Sequence, residues 1–453
     1  MNKQQNKFGN WLKTSLTARM LMIGVLIIVL LIPLSYIESL INERANRQES
    51  IVQEINEKWG NEILLYGPIL KIPYKTYTEK IITSIDVKNN RTEKIEHLNY
   101  AYFFPTKLEM NATINPEEKK RGIYTTSVYK GEISMNGSYG KPDFSSIDIE
   151  NEDILWDKTT IIIKTSNLKG INNQVIINFN NHKFSFLPKY EENNNNLSDE
   201  VSLNKLETNY LNKEVLPFTN DSYFTIKFNS SGSKQIRMIP IGKETNLTIT
   251  SNWKTANFIG NFLPLNSDKI SENGFNAIWK VLHINRPFSQ EYFKILPNLK
   301  EYAFGVNFMI PVDEYQKSER SAKYGFLVIS LTFLIFFLIQ SISKIIIHPF
   351  QYLMIGLALT MFYTLLISIS EHSNFLKAYL IAGVSVIILI TLYSKSILKT
   401  FKFPLFIGAS LSALYTFIFV IIQLENYALL VGSLGLFLIL SIIMYASRKI
   451  DWD

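Results

Sequence analysis

Met20-Leu-Met-Ile-Gly-Val-Leu-Ile-Ile-Val-Leu-Leu-Ile-Pro-Leu-Ser-Tyr-Ile37 is a run of residues without a charge. A helical residue rises about 1.5 Å, and lipid offers no partner to an unpaired peptide group, so about 20 apolar residues cross a hydrocarbon core only as a helix. The run passes into Glu38-Ser-Leu-Ile-Asn-Glu-Arg44 without a small-residue cleavage site, so it reads as a retained anchor and not as a cleaved signal peptide. Pro33 lies inside it, which lipid-embedded helices tolerate.

Five further runs of the same kind follow far along the chain: Gly325–Ser343, Phe350–Ile369, Phe375–Tyr393, Phe403–Ile422 and Tyr427–Tyr445. The 47% hydrophobic fraction is therefore an average over two solvents. Threading six spans from a cytoplasmic N-terminus puts Lys3, Lys7, Lys13, Arg19, Lys344, Lys395, Lys399, Lys402, Arg448 and Lys449 on one side. The two short loops on the other side, around Glu371 and Glu425, supply only Lys377. Cations mark the cytoplasmic face, so both termini are expected there, with the long segment after the first span in the periplasm or its equivalent.

Net charge is +7, which taken alone would suggest nucleic acid. Between Asn42 and Lys323, however, 35 Lys and Arg face 34 Asp and Glu, so the excess belongs to the membrane part and nucleic acid is not expected as a partner. The chain has no cysteine, which excludes disulfides, thiolate nucleophiles and cysteine-ligated metals.

Past the anchor, Ile41, Ala45, Gln48, Val52, Ile55 and Trp59 recur at helical steps with charges between them, predicting an amphipathic stalk that ends at Gly60. From Glu62 the pattern changes to short β-branched and aromatic runs broken by Asn, Gly and Pro. Strands are expected from Ile63 to Tyr74, interrupted at Gly67-Pro68, and at Ile81–Val87, Glu96–Phe104, Gly122–Ser134, Thr159–Lys164, Val175–Phe179, Phe224–Phe228, Thr245–Ser251 and Phe304–Ile310. Asn89-Asn90 reads as a hairpin turn, and Asn193–Asn196 as a loop near which two lobes would divide. Asp313–Lys323 alternates in charge and reads as a helix leading into the second span.

The fold class is thus an α+β membrane protein. Its parts are a cytoplasmic N-terminus (1–19), an anchor (20–41), a stalk (42–60), a mainly antiparallel β exported domain (61–323, two lobes dividing near 190–200), a five-helix bundle (324–446) and a cytoplasmic tail (447–453). Within the spans, Gly408 with Ser412, Ala409 with Ala413 and Gly432 with Gly435 are spaced for close helix approach. Tyr324, Tyr352, Tyr379, Tyr393 and Tyr427 are placed for an interfacial belt.

Catalytic signatures are absent: there is no nucleophile elbow, phosphate loop, dinucleotide glycine pattern or paired-histidine motif, so no catalytic, cofactor-binding or metal residue is assigned. Ionisable residues near membrane depth fall at span ends. The functional candidates are Glu371, His372 and Glu425 there, His348 in a cytoplasmic loop, and Arg286 and Asp313 in the Pro-containing segments nearest the second span. Lys119-Lys120-Arg121 follows Glu117-Glu118 and reads as a solvated loop.

Several strings together resemble the CreD family of bacterial inner-membrane proteins, described as cell-envelope integrity proteins. They are Leu-Ile-Pro33 with Ile37-Glu-Ser-Leu-Ile-Asn-Glu-Arg44, Trp59-Gly60 with Gly67-Pro68, Arg121-Gly-Ile-Tyr124 and Arg286-Pro-Phe288. Further along come Gly305 with Pro311-Val-Asp-Glu-Tyr-Gln316, His348-Pro-Phe-Gln-Tyr352, Ser370-Glu-His372, Glu425-Asn-Tyr-Ala-Leu-Leu430 and Arg448-Lys-Ile-Asp-Trp452. The chain departs from the family pattern at Phe350 and Asn426, where Ile and Asp are usual.

The resemblance implies an anchor, an exported domain and a multi-span bundle, with a role in envelope stress; it carries over no catalytic residue. The expectation is a non-enzymatic envelope protein whose exported domain senses or binds a lipid, glycan or protein of the envelope. The alternatives are a transporter or channel with the C-terminal helices as its path, and a membrane-tethered hydrolase.

Overall fold

The computed structural model of the chain describes residues 16–82, 91–190, 201–211, 221–308, 314–343, 345–398, 401–424 and 427–448. Asp313, Lys344, Glu425, Asn89-Asn90 and the Asn193–Asn196 loop lie outside the described residues. The chain forms two compact units, one of Met1–Ser50 with Val312–Asp453 and one of Ile51–Pro311.

Anchor and stalk are one helix, α1 (Leu16–Lys58), with Pro33 inside it. It is followed by α2 (Glu314–Lys323), α3 (Gly325–Ser343), α4 (Pro349–Ser370), α5 (Phe375–Leu398), α6 (Lys402–Gln423) and α7 (Ala428–Ser447). All but α2 are long and apolar enough to cross a membrane, at the positions the apolar runs predict. Polar α2 buries Tyr315, Ser318, Ser321 and Ala322, a stripe at three- and four-residue steps.

Within the membrane unit, packing is close where one side is small. Leu30 of α1 is 1% exposed and lies against Gly356 of α4, where a Cβ would overlap its methyl group. Elsewhere the bundle is filled by rings: Phe362 of α4 stands 4.5 Å from Tyr415 of α6 and 5.1 Å from Tyr379 of α5. Tyr379 Oη donates to the Tyr415 carbonyl at 2.8 Å. Two of the tyrosines near span ends are covered by protein: Tyr379 is buried, and so is Tyr352, whose hydroxyl donates to Gln340 Oε1 of α3 at 2.9 Å. A hydroxyl that finds a partner inside the protein need not seek the headgroups.

The other unit is a β sandwich. Its strands are β1 (Ile63–Ile82), β2 (Arg91–Phe103), β3 (Lys107–Arg121), β4 (Tyr124–Tyr139), β5 (Thr160–Thr165), β6 (Ile176–Phe179), β7 (His182–Lys189) and β8 (Asn204–Thr208). There follow β9 (Ser222–Ser233), β10 (Gln235–Met238), β11 (Glu244–Ser251), β12 (Asn257–Ile259), β13 (Ile270–Ser271), β14 (Gly274–Leu282), β15 (Glu291–Phe293) and β16 (Phe304–Asn307). The hydrogen-bonded order is β12-β16-β10-β1-β5-β8-β7-β6-β9-β4-β3-β11-β14-β13; off this path, β2 pairs with β1 and β15 with β2. Among the described residues, β1 with β10 and β3 with β11 are the pairs that run parallel.

β7 joins the two layers, pairing with β6 through its first half and with β8 through its second. The far ends of the strand order then meet face to face: Trp279 of β14 is 5.7 Å from Phe304 of β16, and Phe258 of β12 is 5.9 Å from Phe275 of β14. One apolar core runs between the layers.

The expected division near 190–200 is corrected by this pairing. β7 precedes that stretch, β8 follows it and the two are hydrogen-bonded, and strands from either side of it alternate through both layers. β3, β7, β8, β10, β12, β13, β14 and β15 are additions to the expected strands. Leu108, Met110, Ala112 and Ile114 alternate inward along β3, as do Phe275, Ala277, Trp279 and Val281 along β14. The expected break at Gly67-Pro68 is a register shift in the β1–β5 pairing between Tyr66 and Ile69, and β1 continues through it.

Candidate functional site

The polar residues that stand out among the described residues gather at four places, each built from segments distant in sequence. In the Ile51–Pro311 unit the last turn of α1 is clasped by the sheet. Glu54 pairs with Lys58 at 2.9 Å and with Arg121 at the tip of β3. Lys119 Nζ stands 5.3 Å above the Trp59 ring, and Lys169 Nζ donates to the Glu57 carbonyl at 3.1 Å. Buried Asn56 accepts from Thr126 Oγ1 at 3.2 Å.

The helix ends at Gly60, whose φ of +93° and contact with the Asn167 side chain leave no place for a Cβ. Asn167 is itself fixed, donating to the Ser231 carbonyl at 2.8 Å and accepting from Gly170 N at 2.6 Å. The Lys119-Lys120-Arg121 stretch, expected as a solvated loop, is instead the end of β3; Arg121 and Lys119 face a carboxylate and an indole that α1 brings to them. The structure thus joins two of the quoted strings, Trp59-Gly60 and Arg121-Gly-Ile-Tyr124.

In the membrane unit, Glu371 closes α4 and lies 3.6 Å from Arg44 Nε of α1. The Tyr315 hydroxyl of α2 donates to the same carboxylate at 3.4 Å. Three elements therefore meet at one carboxylate, only 15% exposed, beside the end of a span. His372, next in the chain, is exposed. His348 is also local in its work: its Nδ1 accepts from Phe350 N at 3.2 Å, and its own N–H donates to Gln351 Oε1 at 2.9 Å, so it caps α4.

Arg286 is 5% exposed inside the β unit, with its guanidinium 4.0 Å from the Phe288 ring. Nη1 donates to the Phe288 carbonyl at 2.8 Å, and Nη2 to the Ile241 and Gly242 carbonyls at 3.1 Å each. Burial pushes its pKa down to about 10, so it stays charged at neutral pH. Ile241 also accepts from Gln290 Nε2 at 3.2 Å, so the Arg286-Pro-Phe-Ser-Gln290 segment is tied to the chain before β11.

Sequence reading missed a fourth cluster. Glu207 of β8 lies 2.9 Å from Lys71 of β1 and 3.4 Å from Lys205, and accepts from Thr160 Oγ1 of β5 at 2.7 Å. Lys71 Nζ lies 4.2 Å from the Tyr100 ring. Burial raises the Glu207 pKa, but the hydrogen bonds from Lys71 and Thr160 and the two ammonium charges outweigh it and hold the carboxyl below its usual range. Alternation within Lys205-Leu-Glu207 was the available signal, and it does not name the partner strand.

Arg286 thus belongs to the β unit; Glu371 and His348 belong to the membrane unit, at opposite ends of α4. Among the described residues no three His, Asp or Glu gather as a metal-binding group.

A family model described as "Inner membrane protein CreD" matches residues 15–453. The "Inner membrane protein CreD" of Escherichia coli (strain K12) is 28% identical over 444 residues, covering 97% of this chain and 94% of that protein.

Proposed function

Since the chain belongs to the CreD family of inner membrane proteins, we propose that it is a non-enzymatic envelope-integrity protein whose β domain binds envelope material and passes the resulting load down α1. The observation that carries this reading is the clasp on α1. One salt bridge, a cation–π contact and side-chain hydrogen bonds fix residues 54–60 into the sheet. The same uninterrupted helix is seated by Leu30 and Arg44 among the spans. A flexible tether would need neither attachment.

The β domain is proposed to lie in the periplasm, with both termini in the cytoplasm, because the flanking cations favour that orientation ten to one. Alkaline phosphatase, active only when exported, tests this when fused near Asn195: activity supports the orientation, and an inactive but intact fusion contradicts it. For the binding role, photo-crosslinkers on exposed Tyr77, Leu98 and Tyr223 of the β domain are expected to capture lipid, glycan or protein in cells under cell-wall damage. Identical patterns with and without damage, or none, would remove the reading.

A further inference from the structure

The membrane unit contains a cleft of about 750 Å³ among α3, α6 and α7. α7 approaches its neighbour through Gly435, against which the Phe417 ring packs so closely that a Cβ would overlap it. Below that contact the two helices part. The cleft runs from Phe417 and Leu331 down to Lys402, Ile342 and Ile443. None of the apolar stretch of α7 is buried, so the cleft separates it from α3.

Size and lining select the occupant. From Lys402 to Phe417 the helix rises by fifteen steps, or about 22 Å, the length of an extended acyl chain. An apolar transmembrane helix, whether of a second copy or of this chain, would bring no anion to the Lys402 ammonium. A polar solute is equally unsuited, because only the Lys402 ammonium and the Ser410 hydroxyl break an apolar lining, and unpaired polar groups are costly there.

The one charge lies at one end. Lys402 opens α6, where the helix N-terminus adds positive potential, and Lys395 Nζ stands 4.1 Å above the ring of adjacent Phe401. We propose that this cleft holds an acyl chain of an anionic phospholipid, with the Lys402 ammonium at its phosphate. The proposal goes beyond the envelope role and is independent of which membrane face is cytoplasmic.

The full-length chain, reconstituted in nanodiscs of equal phosphatidylglycerol and phosphatidylethanolamine and released for native mass spectrometry, tests it. One retained phosphatidylglycerol per chain is expected. Lys402→Gln should lower the preference for phosphatidylglycerol about fivefold, the equivalent of roughly 1 kcal/mol for one cation near the surface. Ala413→Trp or Leu438→Trp should fill the cleft and abolish retention of both lipids, with an unchanged or higher melting temperature showing that the chain is folded. Palmitate offered in the same experiment separates a headgroup-bearing lipid from a free fatty acid. No retained lipid, retention of palmitate in place of phospholipid, or retention unaffected by the folded Trp variants and Lys402→Gln would overturn the proposal.

Discussion

The membrane unit and the β unit bury polar side chains by opposite means. In the spans, hydroxyls turn back on their own helix: Thr332 donates to the Val328 carbonyl, Ser343 to Ile339, Ser394 to Ile390 and Ser412 to Gly408. In the β unit the partners come from afar. Glu207 meets Lys71 across 136 residues of chain, and Arg286 reaches carbonyls 44 and 45 residues back. The small hydroxyls of the spans are satisfied by their own helix, while Tyr352 and Tyr379 reach a neighbouring one; the buried charges of the β unit meet most of their partners only once the sandwich has closed.

The difference can be broken most severely at Arg286. Arg286→Leu leaves three buried carbonyls without their charged donor, and about 3–5 kcal/mol of β-domain stability should be lost, read by denaturant unfolding of the full chain in detergent. A loss below 1 kcal/mol would mean that solvent reaches those carbonyls.

Glu207→Gln should cost about 2–3 kcal/mol, since Lys71 and Lys205 would keep their charges without the carboxylate. The sign with pH follows from the lowered pKa of Glu207. Its contribution is complete above the unfolded-state carboxylate pKa and disappears as pH falls through the lower folded value. Acid should therefore narrow the gap between wild type and Glu207→Gln, and a gap that is constant down to pH 3 would contradict the assignment.

A smaller effect is expected at the cap of α4. His348→Ala removes one acceptor from an exposed helix start and should lower stability by about 1 kcal/mol, while His348→Asn should restore most of it. Smallest of all is Ser394→Ala. Its hydroxyl serves only its own helix, so the melting temperature should move by no more than the equivalent of about 0.5 kcal/mol. A large loss there would show that the spans also depend on distant partners.

The same contrast governs what could be read in advance. Spans need only an apolar run, and expected Gly325–Ser343 is observed at those residues, while Phe350–Ile369 is observed as Pro349–Ser370. β3 escaped notice because Met110, Ala112 and Pro116 at inward positions carry little β propensity; neighbouring strands on both sides make it a strand. Glu371 and Arg286 could be picked out as ionisable groups in unusual places. Their partners could not, since Arg44 lies on another helix and the acceptors of Arg286 are backbone carbonyls that no side-chain pattern marks.

The proposed role of α1 as a stiff link is tested most directly by interrupting the helix where it is exposed. A Gly-Gly-Ser insertion between Arg47 and Gln48 leaves the clasp and the Leu30 seat intact in their own units. Survival of cells under cell-wall damage is then compared with wild type and deletion, with membrane insertion verified for each. The account predicts that the insertion behaves like the deletion; full protection by the chain carrying it would contradict the account.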